Sequence, residues 1–278
     1  MKQLEYKKQN GKYREIIKYI KATIKQSFLM DTAYKGAILG NFLSPTIYSI
    51  ISILFIQIIY QNINSIAGYT QDEMLLLRLV SQIAFFTGIY ISYINIEQFV
   101  EDVRSGDFDL ILTKPISPYI TSSLNYISIF KMLRDILPAA LIMVFLINWN
   151  TLNITLINLI FGIGVFILGT MISHIFLFIC ALPVIWYGQS TNLIDLATSL
   201  KFGGIDQVPY EGYNQSFKII FTYLLPYLIV CNLSTSVILG KSNPIETFLY
   251  CLLTFILFFI LQKFLWKKAL KEYSSASS

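Results

Sequence analysis

Long apolar runs alternate with short polar breaks along this chain. Gly36 to Tyr60 reads GAILGNFLSPTIYSIISILFIQIIY, and Met74 to Ile96 reads MLLLRLVSQIAFFTGIYISYINI. A helix rises about 1.5 Å per residue and the hydrocarbon core of a bilayer is about 30 Å thick, so about 20 apolar residues cross it. Both runs therefore predict membrane spans, as do 130–149, 152–174 and 246–266. Tyr60, Tyr93, Trp149 and Trp266 stand near span ends, where amphipathic rings favour the headgroup layer. Between 175 and 245 the pattern is ambiguous. Hydropathy alone selects 217–239 as a span and leaves 183–216 on the cytoplasmic side, but Pro226 sits in the middle of that run and Asn232, Ser234, Thr235 and Ser236 crowd its second half.

Composition agrees with a polytopic membrane protein. The chain is 55% hydrophobic and 13% charged, against about 25% charged in a soluble domain. Charge is also unevenly placed. Residues 1–35 hold nine Lys and Arg against Glu5, Glu15 and Asp31, a net +6 where the whole chain carries +5. Lys263, Lys267, Lys268 and Lys271 add to the other end, and 61–73 has no Lys or Arg. The positive-inside bias predicts both termini in the cytoplasm, hence an even number of spans, with six the simplest. The apolar run after the basic start is too long for a signal-peptide core, and no small-x-small exit site follows it. Tyr13, Ile16, Ile17, Ile20, Ile24 and Phe28 recur at helical spacing among Lys18, Lys21 and Lys25. This predicts an amphipathic helix on the inner membrane surface, with 267–278 a cytoplasmic tail.

Other candidates are structural in character. Thr70 and Glu73 form a capping box for the second span, and Arg78 one turn inside it is expected to snorkel to the interface. His174, the single histidine, reads as an interhelical hydrogen-bond partner. Cys180, Cys231 and Cys251 have no paired spacing. No Ser-His-Asp set, acidic metal cluster or nucleic-acid module stands out. Gly240-Lys241-Ser242 lacks the upstream glycine of a phosphate-binding loop, with Thr235 in its place, so any ATP is expected on a separate chain.

The segment 97–125 breaks the pattern most sharply. Ile96, Phe99, Val100 and Val103 continue the second span as one helical face, and Gly106 is a stop signal. Asp107 then suits the cap of a short helix, Phe108 to Thr113, closed off by Pro115, and Ser117-Pro118 suits the start of the next. A loop that only turns round needs no apolar knob of Phe108, Leu110, Ile111 and Leu112.

Arg104, Gly106, Asp109, Leu112 and Pro115 resemble the cytoplasmic loop of ATP-binding-cassette (ABC) permeases of the type-2 exporter class, in the bacterial branch with a Gly-x-x-Asp-x-x-Leu-x-x-Pro loop. Phe202, Pro209, Tyr210, Tyr213, Leu225 and Pro226 resemble its aromatic and proline-marked region before the last span. Trp266, Leu270, Tyr273, Ser274, Ser275 and Ala276 resemble its C-terminus. Gly203 to Gln215 looks longer than the usual link. The resemblance implies an all-α, six-span half-transporter in the bacterial cytoplasmic membrane, exporting a peptide, lipid-like or drug-like substrate. Its implied partners are two ATPase subunits, which carry the ATP and Mg, and a second permease, identical or related; no cofactor is expected in this chain. In the coupling interface it implies, Phe108, Leu110 and Leu112 are apolar anchors, with Arg104, Asp107 and Asp109 as polar rim and Pro115 in the same motif. It also implies a fifth span at 175–200 and an outer re-entrant segment at 216–239. Gly188, Asn192, Asp195 and Ser199 then share one face, a candidate wall of the translocation path. An ion-driven transporter or channel acting alone is the alternative; it calls for several intramembrane charges and an internal repeat.

Overall fold

The computed structural model describes residues 2–33, 35–188, 191–202 and 207–273, with side-chain surroundings described from residue 14 onward except at 35–42, 191 and 200–202. Among these residues the regular elements are helices, and the structure is that of an all-α polytopic membrane protein. Helix α1 is Lys2–Ala33 and α2 is Lys35–Tyr60. Helix α3, Gln71–Ser105, contains a π-helical turn at Ile89–Tyr93. The short α4, Phe108–Leu112, and α5, Pro118–Ser123, precede α6, Ile129–Leu146, and α7, Leu156–Ala181. Then come α8, Val184–Tyr187, and α9, Thr191–Phe202. A bent pair follows, α10, Gln215–Leu224, and α11, Ile229–Ile238, and the last helix is α12, Pro244–Glu272.

Local chemistry sets many of these boundaries. Thr70 and Glu73 close the expected capping box at the start of α3. Ser128, Thr155 and Asn243 each accept a backbone N–H at the starts of α6, α7 and α12, satisfying donors that a helix start leaves unpaired. Gly106 ends α3 at φ 87°, a left-handed position that costs glycine nothing. Asp107 departs from expectation: it leads into α4 without a side-chain cap, and its carboxylate instead accepts from the Ser105 hydroxyl at 2.9 Å.

Among the described residues four helices are long and apolar enough to cross a membrane, α2, α3, α7 continuing through α8, and α12. Helix α6 has 18 residues but carries Lys131, Arg134 and Asp135. The segment 175–200 is not one helix. Residues 175–181 complete α7, the chain breaks around Pro183, and Gly188 at φ 65° separates α8 from α9. Gly188 is therefore off the helix that carries Asn192, Asp195 and Ser199.

Contacts fix which end of the bundle each turn occupies. At the end with Gly68, Tyr60 donates to the Tyr69 carbonyl, Asp72 accepts from Asn148 N and Thr151 Oγ1, and Lys241 pairs with Glu73 at 3.0 Å and donates to Gly68 O. Glu211 meets Ser236 there, and Asn232 donates to Val208 O. Gln215–Leu224 and Ile229–Ile238 are bent by 104°, and Glu211, ahead of the pair, meets Ser236 near its end. At the opposite end α8 packs on α3 and α12. The chain thus stands at opposite ends at Gly188 and Val208. Glycines let α11 approach α7 closely: a Cβ on Gly162 would fall 2.3 Å from Ile238, and one on Gly169 3.0 Å from the Val230 backbone.

Helix α1 docks on α6 through a polar face, Thr23, Ser27 and Asp31, while Ile17, Phe28, Leu29 and Met30 stay exposed. Those exposed side chains suit contact with lipid. Asp31 pairs with Lys131 at 2.8 Å, and Tyr126 and Ser128 also donate to it. Burial alone would raise its pKa, but the hydrogen bonds from Lys131, Ser128 and Tyr126 hold the carboxyl below its ordinary value. A depressed carboxyl stabilises the fold fully above the unfolded pKa of about 4 and loses that contribution as pH falls through the lower, folded value. Asp31→Asn is expected to loosen α1 by about 1–3 kcal/mol at neutral pH, read as faster amide exchange over residues 14–31. The mutant difference should shrink as pH falls below 4; no acceleration at pH 7 would remove Asp31 from this role.

Candidate functional site

Helix α4 is held to the bundle by one side and presents the other. Phe108 is fully buried and Ile111 is 6% exposed, whereas Leu110 is 65% and Leu112 38% exposed. Phe108 lies in an aromatic cluster, with ring centroids 5.6 Å from Phe99, 6.2 Å from Trp266 and 5.0 Å from Tyr273. Phe178 stacks on Phe99 at 5.1 Å and Tyr119 meets Phe178 at 4.9 Å. The cluster continues through Val103, Ala181, Leu182, Val184, Ile194, Ala197 and Ala269. It joins the ends of α3, α7 and α12 to α4, α5, α8 and α9.

This placement corrects the expectation for Phe108. With no exposed surface it cannot anchor a partner; it anchors α4 to its own chain. Leu110 and Leu112 remain apolar and open to contact, with exposed Thr113, Lys114 and Pro115 beside them. Arg104 is exposed and reaches Glu101 at 3.6 Å, and Asp107 is exposed. Asp109 is half-buried against Tyr273, whose phenol is pushed up to about 12 by burial and by that carboxylate. The loop motif and Tyr273 of the C-terminal motif are therefore in contact. Ser274, Ser275 and Ala276 lie outside the described residues, as do Gly203 and Gly204; Phe202 lies where side-chain surroundings are not described.

Asn192, Asp195 and Ser199 are exposed on one face of α9, interspersed with exposed Leu193 and Leu196, while Ile194, Ala197 and Thr198 pack inward. Asp195 lies within electrostatic reach of Tyr93 on α3.

Two polar features depart from, or go beyond, the sequence reading, and a third, His174, agrees with it. Arg78 does not snorkel: it is 8% exposed, with its Cζ 5.0 Å from the Tyr48 ring. Asp135, 3% exposed, is paired with Arg134 and accepts from Tyr90, tying α6 to the π-helical turn of α3. Its signal was the charged triplet inside an otherwise apolar run. The pair is closed on itself, so it braces two helices and leaves no free charge for an ion path. His174 Nδ1 lies 3.0 Å from Ser92 Oγ, an interhelical contact between α7 and the same π-helical turn.

A family model described as ABC-2 family transporter protein matches residues 46–277. Comparison with curated proteins and with solved structures gave no match.

Proposed function

We propose, on the premise that the chain belongs to the family of ABC-2 transporter proteins, that α4 is the element through which ATP hydrolysis in a partner subunit moves it. The family makes the chain a membrane permease of an ABC transporter that works with an ATP-binding-cassette ATPase. The finer reading is a half-transporter with two ATPase subunits and a second permease, identical or related, in a bacterial cytoplasmic membrane. On it the chain exports a peptide, lipid-like or drug-like substrate, with both termini and the Gly106 end in the cytoplasm. The bent pair α10–α11 becomes an outer re-entrant segment, and Asn192, Asp195 and Ser199 line the path between permeases.

One observation carries this reading. Leu110 and Leu112 are exposed on a five-residue helix whose other side is fixed by Phe108 and Ile111. Large apolar side chains held out on a rigid mount beyond the spans suit burial in a groove of a partner, since a few apolar anchors supply most of the energy of an interface. Arg104, Asp107 and Lys114 then form a rim that steers encounter and register. Because α4 shares the aromatic cluster with α3, α7 and α12, a push on it reaches those helices directly.

The test is cross-linking. Leu110→Cys should form a cross-link to the partner ATPase subunit, through a short bifunctional thiol reagent, and ATP with vanadate should change its yield. A cysteine at Asn64 should react with an impermeant thiol reagent in intact cells, and one at Gln9 should not. Labelling of Gln9→Cys from outside, or no cross-link at Leu110→Cys in an assembled complex, would overturn the assignment.

A further inference from the structure

Arg78 lies seven residues into α3, about 10 Å from the Gly68 end by helix rise. It is 8% exposed, its Nε is buried without a hydrogen-bond partner, and among the described residues it makes no ion pair. The face of the Tyr48 ring, 5.0 Å from Cζ, offsets only part of what burying a guanidinium costs. Among the described residues, Glu73, Glu211 and Asp195 are engaged away from it. Glu73 holds Lys241 and the capping box, Glu211 is turned to Ser236 and Tyr69, and Asp195 faces Tyr93. Tyr93 is 15 residues from Arg78 along α3, about 22 Å away.

The cation opens on two adjoining cavities. One, of about 330 Å³, is lined by Tyr48, Arg78, Gln82, Phe86 and Gln207. The other, of about 410 Å³, shares Arg78 and Gln207 and runs between Phe55, Ile56, Ile59 and Leu77. The two cavities thus meet at the guanidinium, the second the more apolar arm, and both sizes fall in the range of about 300–1,000 Å³ usual for small-molecule sites. Ser49 donates to Gln82 Oε1, fixing that amide in the wall.

We propose that Arg78 anchors the head of an anionic amphiphile, a carboxylate or phosphate ester on the guanidinium with its alkyl chain in the arm. The planar fork of Arg matches two oxygens of such a group. An anion supplies the missing counter-charge, and an alkyl chain fits walls of Phe, Ile and Leu. This names a substrate class for the permease and rests on that reading.

The test uses the full-length chain in phosphatidylcholine nanodiscs, without ATPase, and a photoactivatable laurate analogue whose cross-links are mapped by peptide mass spectrometry. Labelling of α2 and α3 peptides should be competed by laurate, but not by dodecanol of equal length or by acetate. Arg78→Gln should cut labelling about tenfold, the value of one charge-assisted hydrogen bond, and Arg78→Lys should restore part of it. Ser52→Phe, in the wall of the arm, should weaken laurate but spare hexanoate as a competitor, and decides the matter if Arg78→Gln fails to insert. Equal competition by laurate and dodecanol, displacement by acetate, or labelling indifferent to Arg78→Gln and Ser52→Phe would overturn the site. Because no ATPase is present, a positive Leu110→Cys cross-link beside a negative laurate result rejects the site alone.

Discussion

Changing Leu110 and Leu112 together to alanine is expected to leave the permease inserted and monodisperse, while its co-purification with the ATPase subunit collapses and coupled transport stops. At 65% and 38% exposure, the two side chains contribute little to the fold of this chain. Buried in a partner, each is worth about 1.5–3 kcal/mol, so losing both weakens docking on the order of a hundredfold or more. Affinity capture of the ATPase, and ATP hydrolysis by the captured complex, measure the two effects separately. Substitutions of Arg104 or Asp107 should act more mildly and mainly on association rate, as rim charges do. A double variant that binds and transports normally would make α4 a lipid-facing turn.

Phe108→Ala should fail in the opposite way. Its ring is fully buried between Phe99, Trp266 and Tyr273, and truncating such a ring costs about 3–5 kcal/mol through lost contact and the cavity left behind. The expected result is a lower melting temperature of the detergent-purified permease and accelerated amide exchange at the ends of α3, α7 and α12. Phe108→Leu should recover most of that stability. If Phe108→Ala kept its melting temperature and lost only ATPase binding, the side chain would be acting at the interface and not inside the chain.

These two variants mark where the sequence stopped being informative. Gly106, Asp109, Leu112 and Pro115 located the short helix α4, because a helix stop, a short apolar run and a proline leave few other foldings. Which side chains faced inward was not legible: Phe108, Leu110, Ile111 and Leu112 are all apolar, and five residues are too few for a helical period to choose a face. The choice was made by tertiary contacts with Trp266 and Tyr273, far away along the chain. The break within 175–200 was missed for a related reason. The resemblance, not hydropathy, placed a span there, and it carried the helix through Pro183 and Gly188, where backbone geometry ends one helix and starts another. Capping pairs were read correctly at Thr70 and Glu73 because both partners lie within one turn. Arg78 was misjudged because its exposure depends on α2 and the segment at Gln207, neither of which its own helix reveals. Asp31, likewise, looked like one charge in a basic segment until Tyr126, Ser128 and Lys131 converged on it.

The unbroken course of α3 has a mechanical consequence. From Gln71 to Ser105 it is 35 residues, a stiff arm of about 50 Å. Its foot is wedged into the aromatic cluster beside α4, its midpoint at Ile89–Tyr93 is braced by Asp135 and His174, and Arg78 rides near its far tip. Such an arm, pivoting at its brace, converts a sideways shift of an ångström or two at the foot into a shift of similar size and opposite sense at the tip. On the proposed docking of α4, force applied to Leu110 and Leu112 would be delivered, by leverage along a single helix, to the walls around Arg78.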